Sequence, residues 1–302
     1  MPKSPIFESV YQGGAPVSLF DYLKTTAQIS GRSLHKFFFK GLILVNGRKA
    51  HSSAILKPGA TVKVLAMKEQ TTLAPEVIPL EIVFENEDLL VLNKPAMIAV
   101  HPVKEITAGT LSNGVAAYFQ KISLNAKVRP VNRLDYGTSG LIIFAKTAQA
   151  QAKASEGIQN HTIRRIYYAL VQGIPKPPEG VINLPIREFK GKRIVGEGGQ
   201  PAQTHYRVIE EFSKASLLEL TLKTGRTHQI RVHLNAIGCP ILGDPQYGVK
   251  APTGAQGQRI QHPALHAGKL DFTSSSFKIP ELTAPLPPDF LNLVDYYKGK
   301  QD

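Results

Sequence analysis

The chain has 302 residues, enough for one large domain or a large domain with a small companion. Apolar residues make up 42% and charged residues 20%, both globular values, and no run approaches the roughly 18 apolar residues of a membrane span. The 36 basic and 23 acidic residues leave a net charge of +13, and the single cysteine, Cys239, excludes an internal disulfide and a cysteine-based metal site.

The first eight residues carry neither an apolar signal core nor an Arg/Ser-rich transit pattern, so a cytoplasmic location is expected. Residues 1–16 read as an N-terminal extension and residues 17–66 as a compact basic unit. Residues 1–66 hold nine Lys/Arg against Glu8 and Asp21, a surplus of seven that is just over half of the whole chain's. Leu19, Phe20 and Leu23 repeat at helical spacing, and Ser30 caps a second helix that ends at Gly41. Leu34, Phe37 and Phe38 give that helix an apolar stripe, while Arg32, Lys36 and Lys40 fall every fourth residue on one face. A hairpin follows, with Asn46-Gly47 as its turn, and Pro58-Gly59 leads into the alternating strand Thr61–Leu65. Such a surface suits a phosphate polyanion. Three runs, Ser30 to Ser33, Lys40 to Arg48 and Leu56 to Gly59, resemble the S4-like RNA-binding domain. The resemblance implies docking on structured RNA through Arg32, Lys36, Lys40 and Arg48.

Residues 67–79 are polar and contain Pro75 and Pro79, which reads as a linker. Strands dominate from Leu80 onward, beginning with Leu80–Glu85 and Leu89–Asn93 around the turn at Asn86. Helices are expected over Leu111–Gln120, started at Thr110, and over the Ala- and Gln-rich stretch Thr147–Asn160. Leu141–Ala145 is a fully apolar run and reads as a buried strand. Further strands are expected at Ile166–Val171, Thr204–Glu210 and Leu217–Lys223, and helical spacing at Thr227–Ile237. Gly196–Gly199 reads as a flexible loop.

The chemistry gathers around residues 129–140. Asp135 stands two residues after Arg133 in a glycine-bounded polar turn that opens into the buried strand. An acid there is expensive unless basic partners hold it ionised, which is how a site keeps a carboxylate as a nucleophile. Arg164 and Arg165 precede Tyr167 and Tyr168 at a strand start. Alternation lets only one of the two tyrosines face a pocket. Arg226, His228 and Arg231 cluster at a strand-to-helix turn, a natural anion site. His228 and His233 are wrongly spaced to share a helical face, and Pro263 disfavours a helix at the His262/His266 pair, so metal binding is not expected. Ser139 and Cys239 lack activating neighbours and read as structural. Asp244-Pro245 reads as a turn supporting the Arg226 region.

Together with Asn93-Lys94-Pro95, Thr204 to Tyr206 and His262 to His266, these runs resemble the RluA-type pseudouridine synthases, which isomerise uridine in RNA. The resemblance covers nearly all of residues 80–280. It implies an α+β catalytic domain over 80–302 with a long, mixed, mostly antiparallel sheet and flanking helices. It also implies catalytic roles for Asp135, Tyr167 and Arg231, and RNA contacts from Arg133 and Arg226. Asp135 attacks the ribose or assists loss of its proton, Arg231 pairs with it, Tyr167 meets the flipped base, and Arg133 holds the nucleotide out of its stack. No cofactor is required. The expected partner is RNA, ribosomal (large subunit) ahead of transfer RNA, with no membrane, no protein partner and a monomeric state. The family usually has His where this chain has Asn132, which leaves a catalytically silent RNA-binding or ribosome-assembly factor as the second reading. A glycosidase-like hydrolase is the third, and it lacks the second carboxylate it would need.

Overall fold

The computed structural model describes residues 5–65, 71–103, 105–253, 255 and 260–300. Two compact units result, Met1–Glu69 and Gln70–Asp302.

The first unit runs β1 (Pro5–Val10), β2 (Val17–Ser18), α1 (Leu19–Thr25), α2 (Gly31–Phe39), β3 (Ile43–Val45), β4 (Arg48–Lys49), β5 (Ile55–Leu56) and β6 (Thr61–Leu65). Ser18 and Ser30 cap the two helices by accepting from the N–H of Asp21 and Ser33. Asn46 and Gly47 both take positive φ, as a two-residue primed turn demands, and Asn46 Oδ1 also accepts from Thr61 N at 2.8 Å. Leu19, Leu23, Leu34, Ile43, Val62 and Val64 form the core. Arg32 and Lys36 on α2, Lys40 at its C-cap and Arg48 on β4 are exposed.

Reading residues 1–16 as an extension needs correction over 5–10. β1 pairs antiparallel with β6 and seats Phe7 on the core. Its alternating sequence closes an edge that β6, bonded on its other side to β3, would otherwise leave open. Residues 1–4 lie outside the described residues.

The second unit opens with β7 (Glu81–Glu85), β8 (Leu89–Lys94), α3 (Leu111–Lys121), β9 (Arg129–Pro130), β10 (Ser139–Ala145), α4 (Ala148–Gln159) and β11 (Arg164–Gln172). It continues with β12 (Glu179–Asn183), β13 (Ile186–Phe189), β14 (Lys192–Val195), β15 (Gln203–Glu211), β16 (Ala215–Leu222) and α5 (Gln229–Ala236), and ends with β17 (Leu265–Asp271), β18 (Leu282–Thr283) and α6 (Pro288–Lys298). A ten-stranded sheet has the order β12-β15-β16-β11-β17-β10-β8-β7, with β18 joined to β17 and β9 to β10. β10 and β17 run parallel, and its other described pairs are antiparallel, which is the expected mixed sheet.

The stretches Leu89–Leu92 of β8 and Leu141–Ala145 of β10 are apolar throughout because they are covered on both faces. Leu90, Leu92, Ile142 and Phe144 enter one core, and Leu89, Val91, Leu141 and Ile143 the other. α3 feeds the first core with Leu111, Val115 and Phe119. α4 packs Ala150 and Ala154 into the second, which explains its small-residue composition. Gly140 is required where it stands: its φ is +106°, and a Cβ would meet Ala267 O of β17 at 2.3 Å.

Two further expectations change. The linker reading of 67–79 gives way over the described residues 71–79. Asn113 Nδ2 donates to Ala74 O, Glu76 N donates to Asn113 O, and the Glu76 carboxylate accepts from Gly109 N, so this stretch is bonded to the start of α3. Residues 67–70 lie outside the described set. Gly196–Gly199 is pinned rather than flexible: Gly196 N bonds Pro185 O, and a Cβ on Gly199 would strike the Ile186 backbone at 2.7 Å.

Candidate active site

Asp135 sits in the loop between β9 and β10. Along that loop the sequence Asn132-Arg133-Leu134-Asp135 alternates, with Asn132 and Leu134 buried while Arg133 and Asp135 face outward. Leu134 anchors the loop in the main core. Asn132 Oδ1 accepts from Ile143 N at 2.8 Å and so fixes the loop against β10.

Asp135, Arg133, Tyr167, Arg226 and Arg231 line one cleft of about 480 Å³, within the range of small-ligand pockets. A second cavity of about 500 Å³ shares Arg133, Asp135 and Arg231 with the first and adds Met97, His101 and Gln246. Asp135 therefore stands on the wall between two open spaces. Tyr167 lies on β11, only 4% exposed, with its neighbour Tyr168 on the opposite face. Burial raises the Tyr167 phenol and the nearby Asp135 charge adds to this, while the Arg165 guanidinium beside the hydroxyl works against it. The hydroxyl keeps its proton at neutral pH.

Arg231 projects from α5. Its Nη1 lies 3.6 Å from Asp135 Oδ2. Its stronger partner is Asp244, which takes Nε and Nη2 at 2.7 Å each in a bidentate pair. Asp244 also accepts from the N–H groups of Gln246 and Tyr247. The turn at Asp244-Pro245 thus supports Arg231, not the Arg226 region as its sequence suggests. Tyr247 stacks 5.0 Å from the Arg231 guanidinium, and its hydroxyl bonds His228 Nδ1 at 2.9 Å and accepts from Arg193 N. Arg226 is exposed, with Nε donating to Pro201 O at 3.1 Å. Its own backbone N–H goes to Gln229 Oε1 and not to an open anion site.

Lys94, at the end of β8, is fully buried and donates to the carbonyls of Pro95, Ile98 and Tyr136. Three donors meet three acceptors, and the last acceptor follows Asp135 directly in the chain. Burial pushes this ammonium down to about 7, with the Asp135 charge opposing the shift. Because the unfolded lysine binds its proton more tightly, the native protein gains stability as pH rises from about 7 towards 10. Lys94→Met is expected to lose that rise and to lower the free energy of unfolding at every pH, since it strands three carbonyls. Urea melts of both proteins across that pH range check this, and parallel curves would refute it.

Lys94, Arg165, Asp244 and Tyr247 are missing from the sequence-level site. A lysine ending an apolar strand and a lone acid after a helix were the signals available. Ser139 and His266 bond each other at 2.8 Å, His266 Nε2 donates to Ala284 O, and burial lowers the imidazole, a structural pair. Burial raises the Cys239 thiol. Arg32, Lys36, Lys40 and Arg48 belong to the first unit.

The family described as RNA pseudouridylate synthase matches residues 88–236. The chain is 37% identical to the RNA pseudouridine synthase YhcT of Bacillus subtilis, covering 92% of this chain and 93% of that one. It is 38% identical to ribosomal large subunit pseudouridine synthase D of Nitrosomonas europaea, covering 78% and 71% of the two chains. Among solved structures, human RNA pseudouridylate synthase domain containing 4 superposes with a TM-score of 0.60 at 24% identity, over 72% of this chain and 93% of that one.

Proposed function

This chain belongs to the RNA pseudouridylate synthase family, an isomerase, and on that premise we propose that it isomerises uridine in large-subunit ribosomal RNA with Asp135 as nucleophile. The observation that carries the reading is the convergence of Asp135, Tyr167 and Arg231 on one cleft of nucleoside size. Asp135 attacks the target nucleoside and the bond between uracil N1 and the ribose breaks. The base turns and carbon 5 bonds to the same ribose carbon as the bond from that carbon to Asp135 breaks and returns the free carboxylate, and the proton lost from carbon 5 is matched by one gained at N1. Nothing leaves, so the site must hold the base and exclude water. Tyr167 supplies the wall for the base and a protonated hydroxyl. Arg231, held from behind by Asp244, orients the Asp135 carboxylate. Arg133, exposed and shared by both cavities, keeps the nucleotide extruded, which costs a few kcal/mol. Arg226 takes a neighbouring phosphate.

The ribosomal target rests on the relatives named for large-subunit RNA. The basic first unit, read as S4-like, supplies sequence-independent attraction through Arg32, Lys36, Lys40 and Arg48. A cytoplasmic monomer completes the reading. Chemical mapping of pseudouridine in total RNA, with and without the gene, tests it. Loss of signal at one or a few large-subunit positions is expected. Loss confined to transfer RNA would move the target, and no loss anywhere would end the proposal.

A further inference from the structure

Phe39 closes α2 with 91% of its surface exposed. Its two preceding neighbours do the ordinary work of a helix: Phe37 and Phe38 pack on the first unit's core, and Phe38 lies parallel to Phe20 at 6.2 Å. A phenylalanine turned into water forgoes the gain of burying its ring, so its surroundings decide what it is for.

Those surroundings are cationic. At 100° per residue, Phe39 falls within about 20° of Arg32 and about 60° of Lys36 on the helix surface. Both are exposed, as is Lys40 immediately after it. Lys49 of β4 reaches over the end of the same helix, since a Cβ built on Gly41 would lie 3.0 Å from its Cδ. The described residues of this unit contain Glu8 and Asp21 as their acids, and Glu8 is already paired with Lys63 at 2.6 Å. No carboxylate lies on α2, so the face meets an anion unopposed.

An exposed ring set among cations is how proteins hold single-stranded nucleic acid: cations follow the phosphates and the ring stacks on a base. We propose that Phe39 is a stacking platform for one unpaired base of the RNA bound by the first unit. The inference rests on the RNA-binding reading of that unit and goes beyond it, because it assigns a base contact to a surface otherwise expected to touch phosphates alone. It also requires the bound RNA to be unpaired at that point.

The chain contains no tryptophan, so Phe39→Trp places a single fluorophore at the proposed contact in the full-length protein. The probe is an unmodified transcript of large-subunit ribosomal RNA, with a blunt RNA duplex as control. Tryptophan emission should be quenched as the transcript saturates the protein and stay unchanged with the duplex. Phe39→Ala should weaken filter-binding affinity about tenfold with the salt slope unchanged, whereas Lys36→Gln should flatten the slope. Emission unchanged at full RNA occupancy, or equal quenching by the duplex, overturns the stacking contact. Failure of the unmodified protein to bind the transcript overturns the RNA-binding reading and this inference with it. Melting curves confirm that the exposed substitutions leave the fold intact.

Discussion

Asp135→Asn is expected to abolish pseudouridine formation, lowering the single-turnover rate on the order of 10⁴-fold or more, as removal of a nucleophile does. The change keeps the size of the side chain and removes its charge. The loop should hold its shape, because its anchors are Leu134 in the core, Asn132 on Ile143 N, and Lys94 on the carbonyl of Tyr136. Arg231 is not left unpaired, since its two short bonds go to Asp244. Stability should therefore move by no more than about 0.5 kcal/mol. The two measurements together, chemical mapping of the product and a melting curve, separate a chemical role from a structural one. A variant that still forms pseudouridine at the normal rate removes Asp135 from the reaction, and one that melts early would leave the loss of activity unexplained by chemistry.

What the sequence made legible follows from how local each signal is. β10 could be read because five consecutive apolar residues have no other use, α1 because Leu19, Phe20 and Leu23 repeat at helical spacing, and α2 because the capping Ser30 precedes its apolar stripe. The Asp135 loop was legible through its polar turn and its neighbours in the chain. β12, β17 and α6 were not read. α6 has the helical set Phe290, Leu293, Val294 and Tyr297, but it begins in a proline-rich stretch that resembles a tail. β17 carries His266, Lys269 and Asp271, polar residues that pattern alone places on a surface. It is buried because it lies between β10 and β11 at the middle of the sheet, a fact of topology. The support for Arg231 was hidden for the same reason. Asp244 lies 13 positions away in the chain, and only the fold turns it onto the guanidinium.

Asp244→Ala is expected to be the most destabilising single change at the site. The Asp244 side chain has no exposed surface and that of Arg231 has 8%, so removing one partner strands a buried cation at a cost of about 3–5 kcal/mol. Although burial works against it, the Arg231 hydrogen bonds hold the Asp244 carboxyl below its ordinary value. A depressed carboxyl stabilises the fold above the unfolded value of about 4. The gap between the native protein and the variant should thus be full at neutral pH and narrow as pH falls below that point. Activity should fall as well, because Arg231, freed from its bidentate clamp, no longer holds a fixed position beside Asp135. Joint replacement of Arg231 by Met and Asp244 by Leu separates the two effects: with no charge left buried, stability should largely return, whereas pseudouridine formation should not. Urea melts and product mapping on the three proteins decide this. A double variant that is both stable and active would show that the pair serves folding alone and that Asp135 needs no guanidinium beside it.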